Sequence, residues 1–413
     1  MKRFVLILAA AVAALTISSC KKDNGTKTVT VTVSVDESAV EAGIAKPDSY
    51  VITVTNNSTT TAVTANTENG KAEFPGLVPG IYSVAANAVV VTDGRQYVFT
   101  GTEASVDATA DATVTIKVSA AKESALVFKE IYYTGCKIGE GEYDTYFRDQ
   151  FWEVYNNSAE TVYADGLCIT TLSNNYASWD WSTIYEYDIP NPEKYVFVKT
   201  VWQIPGTGNQ YPIKPGESIV IAQWGTDHTA ETLGTSNSIN LSGADFEAIL
   251  GESTLWNGTV ITDNKAINMD RVIETGFAMP QWLVSVGDDA IVLFKPSQAL
   301  VNENFIASTN GGYTDAREIL RSDILDAVQW RTNEEDGLKE GGLFLPSDID
   351  AGFKFLGASY TGESFSRKVA YTREDGTVVY QDTNNSTNDF EKNTKPQVRR
   401  NGAGVPSWNT WAK

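Results

Sequence analysis

Residues 148–158 read RDQFWEVYNNS: an arginine, two acids and three aromatics, then an Asn-Asn-Ser close. Acids beside an arginine are the vocabulary of a catalytic centre. An alternating run that ends in a turn is a strand. Side chains on a strand point to its two faces in turn, so Phe151, Glu153 and Tyr155 share one face and Trp152 and Val154 the other. Both faces carry apolar bulk, which is the pattern of an interior strand. Asp149 and Glu153 then stand on one side, about 13 Å apart at strand spacing. That exceeds the roughly 5–9.5 Å between the two carboxyls of a glycosidase. The stretch is therefore wall, its charges solvated or hydrogen-bonded, and Arg148 faces away from the pair.

Outward from this strand the same texture continues. TVTVTVSV (28–35) alternates strictly, and similar runs recur at 50–55 (YVITVT), 81–86 (IYSVAA), 97–101 and 112–118 (ATVTIKV). Turn-rich pieces separate them. Further along come ALVFKEIYYTG (125–135), IKPGESIVIAQ (213–223), DDAIVLFKP (288–296), LDAVQW (325–330) and SFSRKV (364–369). Short strands at this spacing predict an all-β chain of two β-sandwiches, residues 28–120 and 125–413, with SAAKES (119–124) as the linker. One short helix is expected at LSGADFEAIL (241–250): Ser242 can cap it, and Phe246, Ile249 and Leu250 share a face. The connections 171–212 and 226–287 exceed ordinary loop lengths, and such loops tend to carry function or disorder.

In the first sandwich, TENGKAEFPGLVPGIYSV (67–84) sets a Glu68-Asn69-Gly70 turn, the apolar plugs Phe74 and Leu77 and a Pro79-Gly80 turn before Tyr82. It resembles the prealbumin-like or carboxypeptidase-regulatory-like modules of secreted bacterial proteins, which implies a spacer or docking unit. In the second, Glu130, Ile131, Phe151, Glu153, Tyr155, Asn156, Asn157, Asp165, Gly166 and Leu167 match the opening strands and the -DG- step of the lamin-tail type of immunoglobulin-like domain, which this body resembles with long insertions. The chain begins MKRFVLILAAAVAALTISSC. Lys2 and Arg3 precede an apolar run, Phe4 to Ile17, too short to span a bilayer of about 30 Å, as in a secretory signal (1–19). Ile17-Ser18-Ser19-Cys20 resembles a bacterial lipobox, which implies lipidation of Cys20. More than one acyl chain makes such an anchor stable. KKDNGTK (21–27) suits a tether, and Lys21 after the cysteine resembles an outer-membrane address. The whole arrangement resembles an uncharacterised family of Bacteroides-type lipoproteins with a domain-of-unknown-function label. That resemblance implies a gene encoded near those of TonB-dependent outer-membrane receptors, in some cases in iron-related loci.

The net charge is −20, which repels phosphate backbones and argues against a nucleic-acid partner. With Cys20 lipidated, Cys136 and Cys168 remain, as a disulfide or as two buried thiols. The single histidine, His228, rules out a multi-histidine zinc site within one chain. No Gly-x-Ser-x-Gly elbow accompanies it, so a loop or capping role is expected. DTNNSTNDFE (382–391) offers Asp382, Asn384, Ser386 and Asp389 in the rhythm of a calcium loop, but Thr387 stands where the glycine belongs, and an Asx-rich turn explains the run as well. YASWDWSTIYEYDIP (176–190) alternates aromatics: Trp179, Trp181, Tyr185 and Tyr187 form either a recognition surface or packed strand faces. No catalytic or cofactor motif appears. The expectation is a non-catalytic, outer-membrane-anchored lipoprotein that binds a partner or ligand, with a role accessory to a TonB-dependent uptake receptor implied by the resemblance. A surface glycan-binding or adhesive protein is the alternative, and an extracellular hydrolase the next.

Overall fold

The computed structural model describes residues 27–40, 44–92, 95–122, 124–172, 194–230, 233, 236–255, 258–274, 279–300, 306–307, 315–339 and 342–412. It is all-β, with only short helical turns among the described residues. The chain divides between residues 123 and 124 into two units.

The first unit holds β1 (Val29–Asp36), β2 (Val51–Asn56), β3 (Ala62–Asn66), β4 (Lys71–Leu77), β5 (Gly80–Thr92), β6 (Arg95–Ala108), β7 (Ala112–Lys117) and β8 (Ser119–Lys122). They form two sheets, β4-β1-β7 and β3-β2-β5-β6-β8. The alternation on β1 works as its period demands. Val29, Val31 and Val33 are buried while the threonines between them are half-exposed. They meet Ile52, Val54, Val84 and Phe99 of the other sheet in one core. Asn69 and Gly70, at φ +52° and +76°, make the turn between β3 and β4. Both central residues of a type I′ turn need that conformation, which Asn-Gly reaches most cheaply. The SAAKES stretch is not a free linker. Ser119–Lys122 pairs with Tyr97–Thr100 of β6.

The second unit is built on β9 (Leu126–Tyr132), β10 (Phe151–Asn156), β11 (Cys168–Leu172), β12 (Tyr195–Gln203), β13 (Ser218–Ala222), β14 (Phe246–Glu247), β15 (Ile267–Asn268), β16 (Asp270–Ile273), β17 (Asp289–Phe294), β18 (Ile306–Ala307), β19 (Asp315–Leu320), β20 (Ile324–Arg331), β21 (Lys354–Phe355), β22 (Ser364–Arg367) and β23 (Phe390–Asn393). One sheet runs β15-β14-β13-β10-β9-β22-β23. The other runs β18-β19-β12-β11-β17-β20-β21, with β16 added beside β12. The opening stretch thus supplies an interior strand, β10, flanked by β13 and β9. Its faces divide as the alternation predicts. Trp152 and Val154 enter the core between the sheets with Phe128, Ile169, Trp202, Ile291 and Trp330. Phe151 packs on the other face with Tyr132, Val220 and Ala222.

The helix expected at 241–250 does not form. Phe246 and Glu247 instead add a parallel strand beside Ile221 and Ala222. Ser242 turns back to Asn240, its N–H and hydroxyl both donating to Asn240 Oδ1. The backbone there finds its partners in the sheet, and Asp245 stands beneath, accepting from Val220 N at 2.6 Å. Sheet pairing overrides the local helical period.

Candidate functional site

The ring of Tyr133 stacks on Trp330, with centroids 4.3 Å apart, which fixes the ends of the two sheets that meet. At this end β9 and β13 leave their sheet, β10 and β22 enter it, β17 begins and β20 finishes. β11 also ends here, at Leu172. The connections that follow β9, β13 and β20 therefore leave from this end, away from Leu126, where the chain comes in, whereas 368–389 lies at the other.

Hydrogen bonds brace the loops of this end to one another. Cys136–Lys137 and Thr145–Tyr146 form a small hairpin. Its tip carries Tyr143, 87% exposed, and Ile138, 40% exposed. Gly135, at φ +65°, lets the hairpin close, since a Cβ there would lie 2.2 Å from Tyr146 O. The 356–363 loop docks on the hairpin's base: Tyr360 N donates to Thr134 O and Gly362 N to Gly135 O. Tyr360 sits at φ +59°, a strained conformation for an aromatic residue. Ser359 Oγ ties this loop to Val286 O. The 226–240 loop is held by Asn237 Nδ2 donating to Lys137 O and by Ser238 Oγ donating to Asp149 Oδ2 at 2.5 Å.

Asp149 is the buried hub. Its Oδ2 also accepts from Tyr132 OH at 2.9 Å and meets Cys136 Sγ at 3.6 Å, while Oδ1 is buried without a hydrogen-bond partner. Every donor around it is neutral, so burial pushes its pKa up to about 6, against the hydrogen bonds that favour the carboxylate. His228 lies beside it through Tyr146. Its Nε2–H donates to Trp224 O at 2.9 Å, and Nδ1 accepts from Tyr146 OH at 2.7 Å. Burial lowers its pKa to about 4, so the ring is neutral and both nitrogens are occupied. It caps and braces a loop, with Trp224 O on one nitrogen and the Tyr146 hydroxyl on the other.

Asp149 and Glu153 do not converge as an acid/base pair, and neither is solvated. Glu153 is fully buried and accepts from Lys129 Nζ (3.0 Å), Ser218 Oγ (2.6 Å) and Arg399 N (2.9 Å). Beside it Glu130 takes Arg400 through Nε and Nη2. Asp245 takes Arg399 and Asn409. This row of carboxylates fastens the C-terminal segment across the outer face of the sheet.

The calcium-like run is built around a cation already present in the chain. The Arg367 guanidinium donates to Asp326 and to Asp382 Oδ1 (3.0 Å), lies 3.6 Å from Asp389 and stacks on Phe390 at 4.5 Å. Asp389 Oδ2 also accepts the N–H groups of Thr383 and Asn385. Ser386 Oγ turns away to Asp350 at 2.5 Å, and Asn384, at φ +51°, serves as a turn. The described residues hold no group of three or more His, Cys, Asp or Glu side chains suited to a metal ion.

The two cysteines are free thiols and do not form the disulfide. Cys136 points at Asp149. Cys168, on the other sheet, lies 3.3 Å from Gln203 Nε2. Burial pushes both thiols up to about 12. Cys20 and the aromatic set Trp179, Trp181, Tyr185 and Tyr187 fall outside the described residues.

Sequence reading missed Arg367, Tyr146 and Ser238 as organising residues. Only Arg367 had a signal, a charge beside Lys368 within the strand-like SFSRKV. The -DG- step gains a physical role. Asp165 accepts the N–H groups of Gly208, Gln210 and Tyr211, which holds its carboxyl below the usual range against burial. Asn157 pairs both ways with Tyr380, Nδ2 to O and N to Oδ1.

Two sandwiches in tandem, the second with braced loops at one end and its charges tied into the frame, define a modular β-protein. The chain belongs to the DUF4876 family, described as "Protein of unknown function (DUF4876)", whose profile matches residues 214–397. A crystal structure of a DUF4876 family protein from Bacteroides thetaiotaomicron VPI-5482 is similar to it. That chain is 30% identical, with 92% of this chain and 99% of that one covered and a TM-score of 0.58. A crystal structure from Bacteroides ovatus ATCC 8483, described as a "putative adhesin", aligns over 75% of this chain and 89% of that one. At 10% identity and a TM-score of 0.20, it carries no argument. No curated protein matches.

Proposed function

We propose that this protein is a lipid-anchored binding protein of the outer membrane. Its second unit offers the loop-bearing end to a partner, and the partner is a TonB-dependent uptake receptor. The observation that carries the reading is the bracing of that end. Three loops from distant parts of the sequence are cross-tied by Asp149, Ser238, Asn237, Tyr360 and Ser359, with the Tyr143 side chain left outside. Rigid loops lose little entropy on binding. Catalysis finds little support among the described groups, because His228, Asp149 and Glu153 are buried and engaged in the frame. The lipobox-like Ile17–Cys20 supports the anchor, and the receptor as partner rests on the family resemblance.

The test is capture of the full chain from detergent-solubilised membranes, beside the double variant Ile138→Ser/Tyr143→Ala. The expected result is an outer-membrane receptor recovered with the native chain and lost with the variant. Recovery of no outer-membrane protein, or equal recovery with the variant, overturns the proposal. Cys20→Ala is expected to release the protein from membranes. The alternating aromatics at 179–187 favour a second reading, glycan binding. A glycan array on the native chain and on Trp179→Ala/Trp181→Ala separates the two.

A further inference from the structure

An edge strand leaves a row of backbone N–H and C=O groups unpaired, and proteins usually blunt such edges with charge, proline or shortness. In the first unit β4 carries Lys71, Glu73 and Pro75, β7 is bracketed by Asp111 and Lys117, and β8 has four residues. The edge strand β3 has none of these except modest length. Its sequence is AVTAN, and residues 49–67 contain no charged side chain in a chain of net charge −20.

The register shows which groups β3 presents. Asn56 N donates to Thr61 O and Thr67 N to Tyr50 O, so the hydrogen-bonded pairs with β2 are 54↔63 and 52↔65. The N–H and C=O groups of Ala62, Thr64 and Asn66 therefore point outward, and no described residue takes them. Val63 and Ala65 lie opposite the buried Val54 and Ile52, on the core side of the sheet. Yet Val63 is 38% exposed, so the core is uncovered along this edge.

We propose that β3 is a pairing edge for a second copy of this chain. Antiparallel pairing about a two-fold axis at Thr64 sets Thr64 against Thr64 and Ala62 against Asn66, and satisfies about six outward hydrogen bonds. It also sets Val63 against Ala65 of the other copy, covering the open core edge from both sides. Two chains of charge −20 repel over most of their surfaces, and this uncharged strand is where they can approach with least opposition.

The test uses the full chain in membranes and in detergent. Thr64→Cys places two sulfurs across the axis, at a Cα separation of about 5.5 Å for a hydrogen-bonded pair, within the roughly 4.4–6.8 Å a disulfide spans. Mild oxidation is expected to give a reducible band of twice the mass, absent from Thr109→Cys at an exposed turn. Thr64→Pro deletes an outward N–H without touching the β2 ladder and is expected to return the sedimenting species from dimer to monomer. A Thr64→Cys chain that cross-links no better than Thr109→Cys, or a native chain that sediments as a monomer throughout, overturns the proposal.

Discussion

Two buried carboxyl clusters in the second unit solve one problem in opposite ways. Around Arg367, Asp326, Asp382 and Asp389 surround a guanidinium, so charge answers charge. Around Asp149 the donors are two hydroxyls and a thiol, with a neutral histidine nearby. The first cluster is a salt knot in which the guanidinium offsets part of the burial that raises its acids. The second holds a carboxyl whose charge burial opposes. A polar motif in sequence does not say which kind it will become, because the deciding partner comes from elsewhere in the chain. Arg367 is 41 residues from Asp326, and Ser238 is 89 from Asp149.

The comparison breaks most sharply at Arg367. Arg367→Met keeps most of the volume and strands three carboxyls without their cation. A loss of about 3–5 kcal/mol is expected, as for other buried pairs cut on one side. Burial already raises Asp326 to about 7 despite the arginine. Without it, the stranded acids favour folding only when protonated. The deficit should therefore shrink as pH falls from 8 to 5, read by urea unfolding at each pH. A loss below about 1 kcal/mol would show that the knot does not hold the unit together.

The neutral cluster responds to pH through two opposed groups. Asp149 titrates near 6 in the folded chain against an ordinary 3.8. Its contribution is complete below about pH 4 and is lost as pH rises through 6. His228 titrates near 4 against 6.5. Its contribution is complete above 6.5 and is lost as pH falls toward 4. Each is worth about 3 kcal/mol, with opposite slopes over nearly the same window, so the native chain should show little net dependence from this pair. Asp149→Asn leaves the histidine slope, and stability should fall toward pH 4. His228→Gln leaves the aspartate slope, and stability should rise. Parallel curves for both variants and the native chain would refute the opposition.

The frame was legible where one strand's own alternation decides it. Val31, Phe151, Trp152 and Val154 went to the faces their positions predict, and Glu68-Asn69-Gly70 turned where Asn-Gly turns. The reading failed where long-range pairing decides. Phe246–Glu247 joined a sheet instead of a helix, and Ser119–Lys122 paired with β6 instead of linking. At the site, the importance of Asp149 was visible only as a charge beside a strand. Its partners Tyr132, Cys136 and Ser238 come from three other segments, and no local pattern joins them. The same holds for Asn157, which closes over Tyr380 from 223 residues away. Asn157→Ala leaves both Tyr380 backbone groups unanswered in a buried site. It is expected to cost about 1–3 kcal/mol and to loosen the Val369–Thr372 and Val378–Tyr380 hairpin in hydrogen exchange.

The smallest effect tests whether the neutral cluster depends on its thiol. Cys136 Sγ is the weakest of the three donors to Asp149 Oδ2, at 3.6 Å against 2.5 Å for Ser238 and 2.9 Å for Tyr132. A thiol is a weak donor. Cys136→Ala is therefore expected to cost about 1 kcal/mol, mainly from lost packing, whereas Ser238→Ala removes the shortest bond to a buried carboxyl and should cost about 2 kcal/mol. With no bridge to Cys168, adding reductant should leave the melting temperature unmoved. Neither thiol should react with a disulfide reagent until the chain unfolds, since burial keeps both protonated at neutral pH. A melting point that drops in reductant would mean the cysteines pair after all. The hairpin carrying Tyr143 would then be held by a covalent strut and not by the Asp149 network.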